Sequence, residues 1–236
     1  MTKKLFFLKR FTSVMLVLCL ILPIVSTTLT ANAKAKTSQV KFSYSTKSSS
    51  KTYKSGIKAK TYYKRAVLKG NSKGVKKINK YLKKQSTDFL KSKSVKDLHS
   101  CAKNGVPYSE NEEYLCYTTS KVTYNSKNII SIRLTYNWYA GGVFNSDRYG
   151  YTFNVKTGKK LIFTNVSKYS SKKAINTLYN KIIKEDPNAE LKKKDLKASK
   201  LNFYLKPSYK AVVCFGPYEV GAGGWFRSYT LKSKYK

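Results

Sequence analysis

Residues 133–166 read RLTYNWYAGGVFNSDRYGYTFNVKTGKKLIFTNV, and this stretch constrains the fold more than any other part of the chain. Aromatic and β-branched residues recur with polar ones on both sides of Gly141-Gly142, the pattern of two strands meeting at a glycine reversal. A tight turn at Lys156-Thr157-Gly158-Lys159 and an exit through Leu161 and Phe163 follow. Upstream, residues 115–124 and 129–138 alternate around Asn125-Ser126-Lys127-Asn128, which predicts a hairpin. Residues 149–155 supply a third strand.

Helical periodicity is found in two places. Ser72 can cap a helix whose Val75, Ile78, Leu82 and Phe89 share one face, with lysines on the other. Ser170 or Ser171 opens a second, with Ile175, Leu178 and Ile182 inward and Pro187 beyond its end. Residues 57–68 read as a strand, and further strands fall near 201–205, 210–215 and 226–231. Hairpins with helices between them and no regular βαβ alternation predict an α+β fold with a mainly antiparallel sheet and two main helices. A length of about 180 ordered residues suits one domain over 56–236, or two closely packed subdomains meeting near residue 95.

The order of these elements resembles the RsiV-like domain family, which forms the outer part of the anti-sigma factor RsiV and the N-terminal region of the peptidoglycan deacetylase PdaC. The resemblance is carried by the strand ending in Tyr139 and Gly141-Gly142, the strand and turn from Tyr151 to Lys159, Phe203-Tyr204-Leu205, and Pro217-Tyr218-Glu219. It runs from about Gly56 to Leu231. Many relatives carry a histidine after the glycine pair where this chain has Val143 and Phe144, so no role of that histidine is carried over. The deacetylase relative owes its chemistry to a separate metal-binding domain, which has no counterpart in this sequence. The resemblance therefore identifies the family and not the function.

Residues 1–33 read as an export signal: Lys3, Lys4, Lys9 and Arg10 precede an apolar core over 14–25, and Ala31 and Ala33 supply an A-x-A cleavage site. The mature chain is expected to start at Lys34, with no stable membrane anchor after cleavage. Cys19 lacks the small residues of a lipoprotein signal, and the short segment before the apolar core leaves no room for a cytoplasmic sigma-binding domain. Residues 34–55, rich in Lys, Ser and Thr, read as a flexible basic tail, although Val40, Phe42 and Tyr44 alternate as an edge strand would.

The chain has 48 basic and 11 acidic residues; without the four basic residues of 1–33, 44 basic and 11 acidic remain, a balance of +33. An AT-rich genome would enrich Lys, but also Glu, of which there are six. Charge of this size attracts polyanions, and outside a Gram-positive cell these are teichoic acids and anionic lipid headgroups. Only five of the basic residues are Arg, and lysine lacks the planar fork that reads guanine edges, so sequence-specific nucleic-acid recognition is not expected.

Cys101, Cys116 and Cys214 remain after processing, and in an oxidising compartment one pair is expected. Cys101 with Cys116 is the preferred choice because closing the loop between them stabilises by about 3 kcal/mol in the chain-entropy model. Cys214, in AVVCFG, reads as a buried small hydrophobe. His99 is the single histidine, and no GxSxG, HExxH or CxxC accompanies it, so the chain is expected to be non-catalytic, without cofactor or metal. Asp147 and Glu219 are the carboxylates that could serve a polysaccharide-processing enzyme.

A ligand site is expected at two glycine-rich strand ends, Trp138, Tyr139, Gly141 and Gly142 in one, Tyr218, Glu219, Gly223, Gly224 and Trp225 in the other. Each sets glycines beside aromatics, which suits a sugar or a peptide strand. The function that fits best is a secreted, cell-wall-associated protein that binds anionic wall polymers or peptidoglycan. A protein-binding module is the first alternative, since the anti-sigma relative recognises lysozyme, although a basic lysozyme would be repelled.

Overall fold

The structure, a computed structural model, describes residues 39–221 and 226–236. The expected export signal at 1–33 and the cleavage site lie outside the described residues. Five strands form one sheet in the order β1 (Phe42–Thr52), β2 (Lys58–Leu68), β3 (Glu113–Ser126), β4 (Ile129–Ala140), β5 (Val143–Asn154). Three more form a second sheet, β6 (Asn202–Lys206), β7 (Lys210–Phe215), β8 (Arg227–Lys232). The helices are α1 (Lys73–Leu90), α2 (Lys93–Asn104), the single turn α3 (Phe163–Val166) and α4 (Ser171–Glu185). The fold is α+β, as the sequence implies.

The two helices read from periodicity are present, capped by the hydroxyls of Ser72 and Ser170. In α1, Val75, Ile78 and Leu82 bury against Ile130, Ile132, Leu134 and Phe153 of the sheet. The lysines of the opposite face stay in water, so burial of the apolar stripe fixes the helix. α2 was not expected. Ser92 caps it and Val95, Leu98 and Ala102 reach the core beside Ile57, Ala59, Tyr114 and Cys116. Three buried residues among lysines and polar groups make too thin a stripe to separate from a loop by composition.

All neighbouring strands of both sheets are antiparallel except β2 and β3, which run parallel from Lys58↔Glu113 to Tyr63↔Thr118. A parallel pair needs a long crossover, and α1 and α2 form it. A division of the chain near residue 95 would separate these hydrogen-bonded neighbours; residues Ser38–Lys236 form one compact unit. The β3–β4 hairpin turns on Lys127 and Asn128, both at positive φ (51° and 59°), two residues shorter than the four-residue connection read from sequence.

The flexible tail expected over 34–55 is corrected for Phe42–Thr52, which is β1 and pairs with β2 along its whole length. Its side chains are almost all exposed, so its Ser and Lys content reflects an edge strand wet on both faces. Asn125 fastens the approach to it, accepting from the Val40 N–H (3.1 Å) and donating to the Val40 carbonyl (2.8 Å).

The helices α1 and α2 cover one face of the large sheet, and β6 meets the other. Asn202 bridges Gly150 N–H (2.8 Å) and the Arg148 carbonyl (2.8 Å) of β5. The core of the second sheet, Phe203, Leu205, Ala211, Val213, Tyr229 and Leu231, closes on Leu178 and Ile182 of α4.

Candidate ligand-binding cleft

The first glycine-rich end is the two-residue reversal between β4 and β5. Gly141 (φ 55°) and Gly142 (φ 85°) take left-handed conformations that glycine adopts at little cost. Trp138 is committed to the fold: its indole N–H donates to the Ser94 carbonyl (3.1 Å) and its ring packs on the α2 core. Tyr139 meets Tyr114 edge-on at 6.4 Å. Beside Gly141, a hollow of about 520 Å³ is lined by Cys101, Tyr108 and Tyr114 among others.

The second end is a turn after β7. The Gly216 N–H donates to Glu219 Oε2 (2.8 Å), and Tyr218 stands 71% exposed at φ 63°. Gly223, Gly224 and Trp225 lie outside the described residues. The hollow at Gly141 includes no residue of 216–221, so the described parts of the two ends do not share one cavity.

The second turn instead approaches Asp147. A methyl group placed on Gly216 would stand 3.2 Å from Asp147 Oδ2. The two carboxylates singled out in the sequence, Asp147 and Glu219, therefore flank one glycine. Both bear on Tyr149: burial first, then a hydrogen bond to Asp147 and the charge of that carboxylate, with smaller contributions from Tyr136 and Glu219, push its phenol well above the ordinary range.

Tyr149 belongs to a cleft that sequence reasoning missed. On β5, Asp147, Tyr149 and Tyr151 alternate onto the helix-covered face; on β4, Tyr136 lies directly opposite Asp147 and Leu134 opposite Tyr149. β2 adds Tyr63 and β3 adds Thr118. The far wall comes from the end of α1 and the short link to α2, with Gln85, Asp88, Phe89, Ser92 and Ser94. These groups enclose about 370 Å³. Tyr151 donates to Gln85 Oε1 (2.8 Å), and Phe89 lies tilted on Tyr63 (5.3 Å) and edge-on to Tyr136 (6.2 Å). Burial is the largest cause raising the phenols of Tyr63, Tyr136 and Tyr151 above the ordinary range. The i, i+2 spacing of Tyr149 and Tyr151 was visible in the sequence, but the wall supplied by α2 was not.

The expected Cys101–Cys116 bridge is not formed; all three described cysteines are free. Cys101 is exposed on α2, whereas Cys116 points from β3 into the core beneath Val95, Leu98 and Ala102. Burial pushes the Cys116 thiol up to about 11, offset in part by its contact with the Tyr136 hydroxyl, and the Cys214 thiol up to about 12. His99 is half-buried on α2 with Nδ1 3.0 Å from the Tyr53 hydroxyl. Among the described residues, no three His, Cys, Asp or Glu side chains converge as metal ligands would.

The fold defined by these elements is an α+β domain in which a helix pair and a small second sheet hold opposite faces of a five-stranded sheet. The family model described as Deacetylase PdaC matches residues 58–143, from β2 to the start of β5. A DUF3298 family member from Bacteroides fragilis, known from a crystal structure, shares the fold with a TM-score of 0.55 at 14% identity, over 84% of this chain and 91% of that one. A DUF3298 family protein from Pseudomonas aeruginosa gives 0.51 at 9% identity, over 83% and 90%. No curated protein matches the chain. Over residues 58–143 the chain is thus similar to the PdaC family, and it shares the fold of the DUF3298 proteins.

Proposed function

We propose that this protein is a secreted, cell-wall-associated, non-catalytic domain that binds anionic wall polymers through its basic surface. The observation that carries this reading is the mismatch between cations and acids. In the described ion pairs, Lys58 and Lys60 share Glu113, Lys84 pairs with Asp88, Lys93 with Asp97 and Arg227 with Asp186. Those pairs take up four acids, Glu113, Asp88, Asp97 and Asp186, out of the 11 set against 48 basic residues. Lys172, Lys193 and Lys194 converge on a hollow of about 660 Å³ at the start of α4. A surface of this kind suits repeated phosphates, each contact releasing a counterion.

Cosedimentation with purified Gram-positive walls tests the reading. Binding should fall sharply after the teichoic acid is stripped, and equal binding to stripped walls would contradict it. The position of Asp147 and Glu219 on either side of Gly216 favours, as a second reading, carboxylate-dependent processing of a polysaccharide. Release of reducing ends from purified peptidoglycan that Asp147→Asn abolishes would establish that reading in its place.

A further inference from the structure

We infer that the tyrosine cleft between α1, the α1–α2 link and strands β2 to β5 is a subsite for a neutral pyranose unit of a polysaccharide. Nothing in this inference depends on the basic surface. Its lining combines the two things a sugar ring requires. Tyr136, Tyr149 and Tyr151, with Tyr63 buried behind them, supply aromatic surface against which the C–H face of a pyranose packs. Gln85, Asp88, Ser92, Ser94 and Thr118 supply hydrogen-bonding groups for ring hydroxyls. The volume of about 370 Å³ lies within the range of small-ligand sites, roughly 300–1,000 Å³.

The cleft carries little net charge, although most of the surface is basic. Asp88 lines the cleft and Asp147 hydrogen-bonds Tyr149 at its β5 side, while Lys84 is turned outward in its pair with Asp88. Asp88 is offset by Lys84, and Lys160 stands 4.7 Å over the Tyr151 ring, so charges at the cleft largely cancel and its hydroxyl and amide groups suit a neutral, hydroxylated ligand. The way in is at β5, the edge of the sheet, where Tyr149 is 42% exposed. A peptide strand would need an open line of backbone donors and acceptors, but the cleft floor is a sheet face of side chains.

The test is titration of the full secreted chain with cellotetraose and with tetra-N-acetylchitotetraose by calorimetry, in about 0.3 M salt, where attraction between exposed charges is largely screened. Saturable binding of at least one sugar is expected. It should weaken by about tenfold or more in Tyr149→Ala and in Gln85→Ala, and be unchanged in Tyr218→Ala. Tyr149→Phe, which keeps the ring, should retain most of the affinity and guards against misfolding of the alanine variant. Binding of neither sugar overturns the inference, as does binding that Tyr149→Ala and Gln85→Ala leave intact. Sugar binding at high salt with no teichoic acid binding at any salt would uphold the cleft and reject the polymer reading.

Discussion

Leu205 of β6 donates its backbone N–H to the side-chain oxygen of Ser131 on β4 across 2.8 Å, and Ser131 also shares a 2.8 Å hydrogen bond with Thr152 on β5. One fully buried hydroxyl thus ties the second sheet to the first. Ser131→Ala leaves the Leu205 N–H buried without an acceptor and should destabilise by about 1–3 kcal/mol in urea unfolding. Ser120→Ala should be neutral or stabilising, because the Ser120 hydroxyl is buried without a partner among the described residues. Equal losses in the two variants would contradict this account of the sheet contact.

Gly150 sets a second demand on the same interface. A methyl group there would stand 1.7 Å from the Phe203 carbonyl oxygen, which is backbone and cannot swing aside. Gly150→Ala should therefore cost about 3 kcal/mol or more by forcing the sheets apart. Gly142→Ala meets open space and should cost only the strain of its positive φ, about 1–2 kcal/mol. Thermal melts of the two variants give the comparison.

Thiol chemistry should follow burial. Cys101 should react with a maleimide in the native protein, while Cys116 and Cys214, buried with thiols pushed up to about 11 and about 12, should react only on unfolding. Native mass spectrometry after labelling reads this directly. Peptides joining Cys101 to Cys116 in unreduced digests would contradict the structure.

His99 makes stability fall in mild acid. Burial, and then the nearby charge of Lys51, lower its folded pKa, so below the ordinary value of about 6.5 the unfolded chain binds more protons. Its contribution is present in full above that value and is lost as pH falls through the lowered one. The urea midpoint of the wild type should drop more between pH 7 and pH 5 than that of His99→Gln. Identical drops would show that carboxylates alone set the pH response.

Much of this was legible in the residues. Alternation placed β3, β4 and β7 closely, and the Ser72 and Ser170 caps located α1 and α4, because each of these elements buries a full apolar face. β1 was obscured because an edge strand exposed on both faces carries the composition of a tail. The turn to α2 was hidden by its thin stripe, and with it the wall of the cleft. At the glycine-rich ends, Gly141 and Gly142 turn a corner, Trp138 fills a core, and Glu219 closes a turn on Gly216. A cleft assembled from β2, β3, β4, β5 and the α1–α2 link, far apart in sequence, leaves no local motif to read.

The most direct test of the central claim is the salt dependence of binding to soluble wall teichoic acid. If about six to ten phosphates are neutralised, log K should fall linearly with log salt, losing on the order of a thousandfold or more between about 50 and 200 mM. Replacing the exposed Lys172, Lys193 and Lys194 by Gln should shallow the slope without moving the melting temperature. An affinity that hardly changes with salt, with the triple variant binding as the wild type does, would contradict the claim that the basic surface makes the contact.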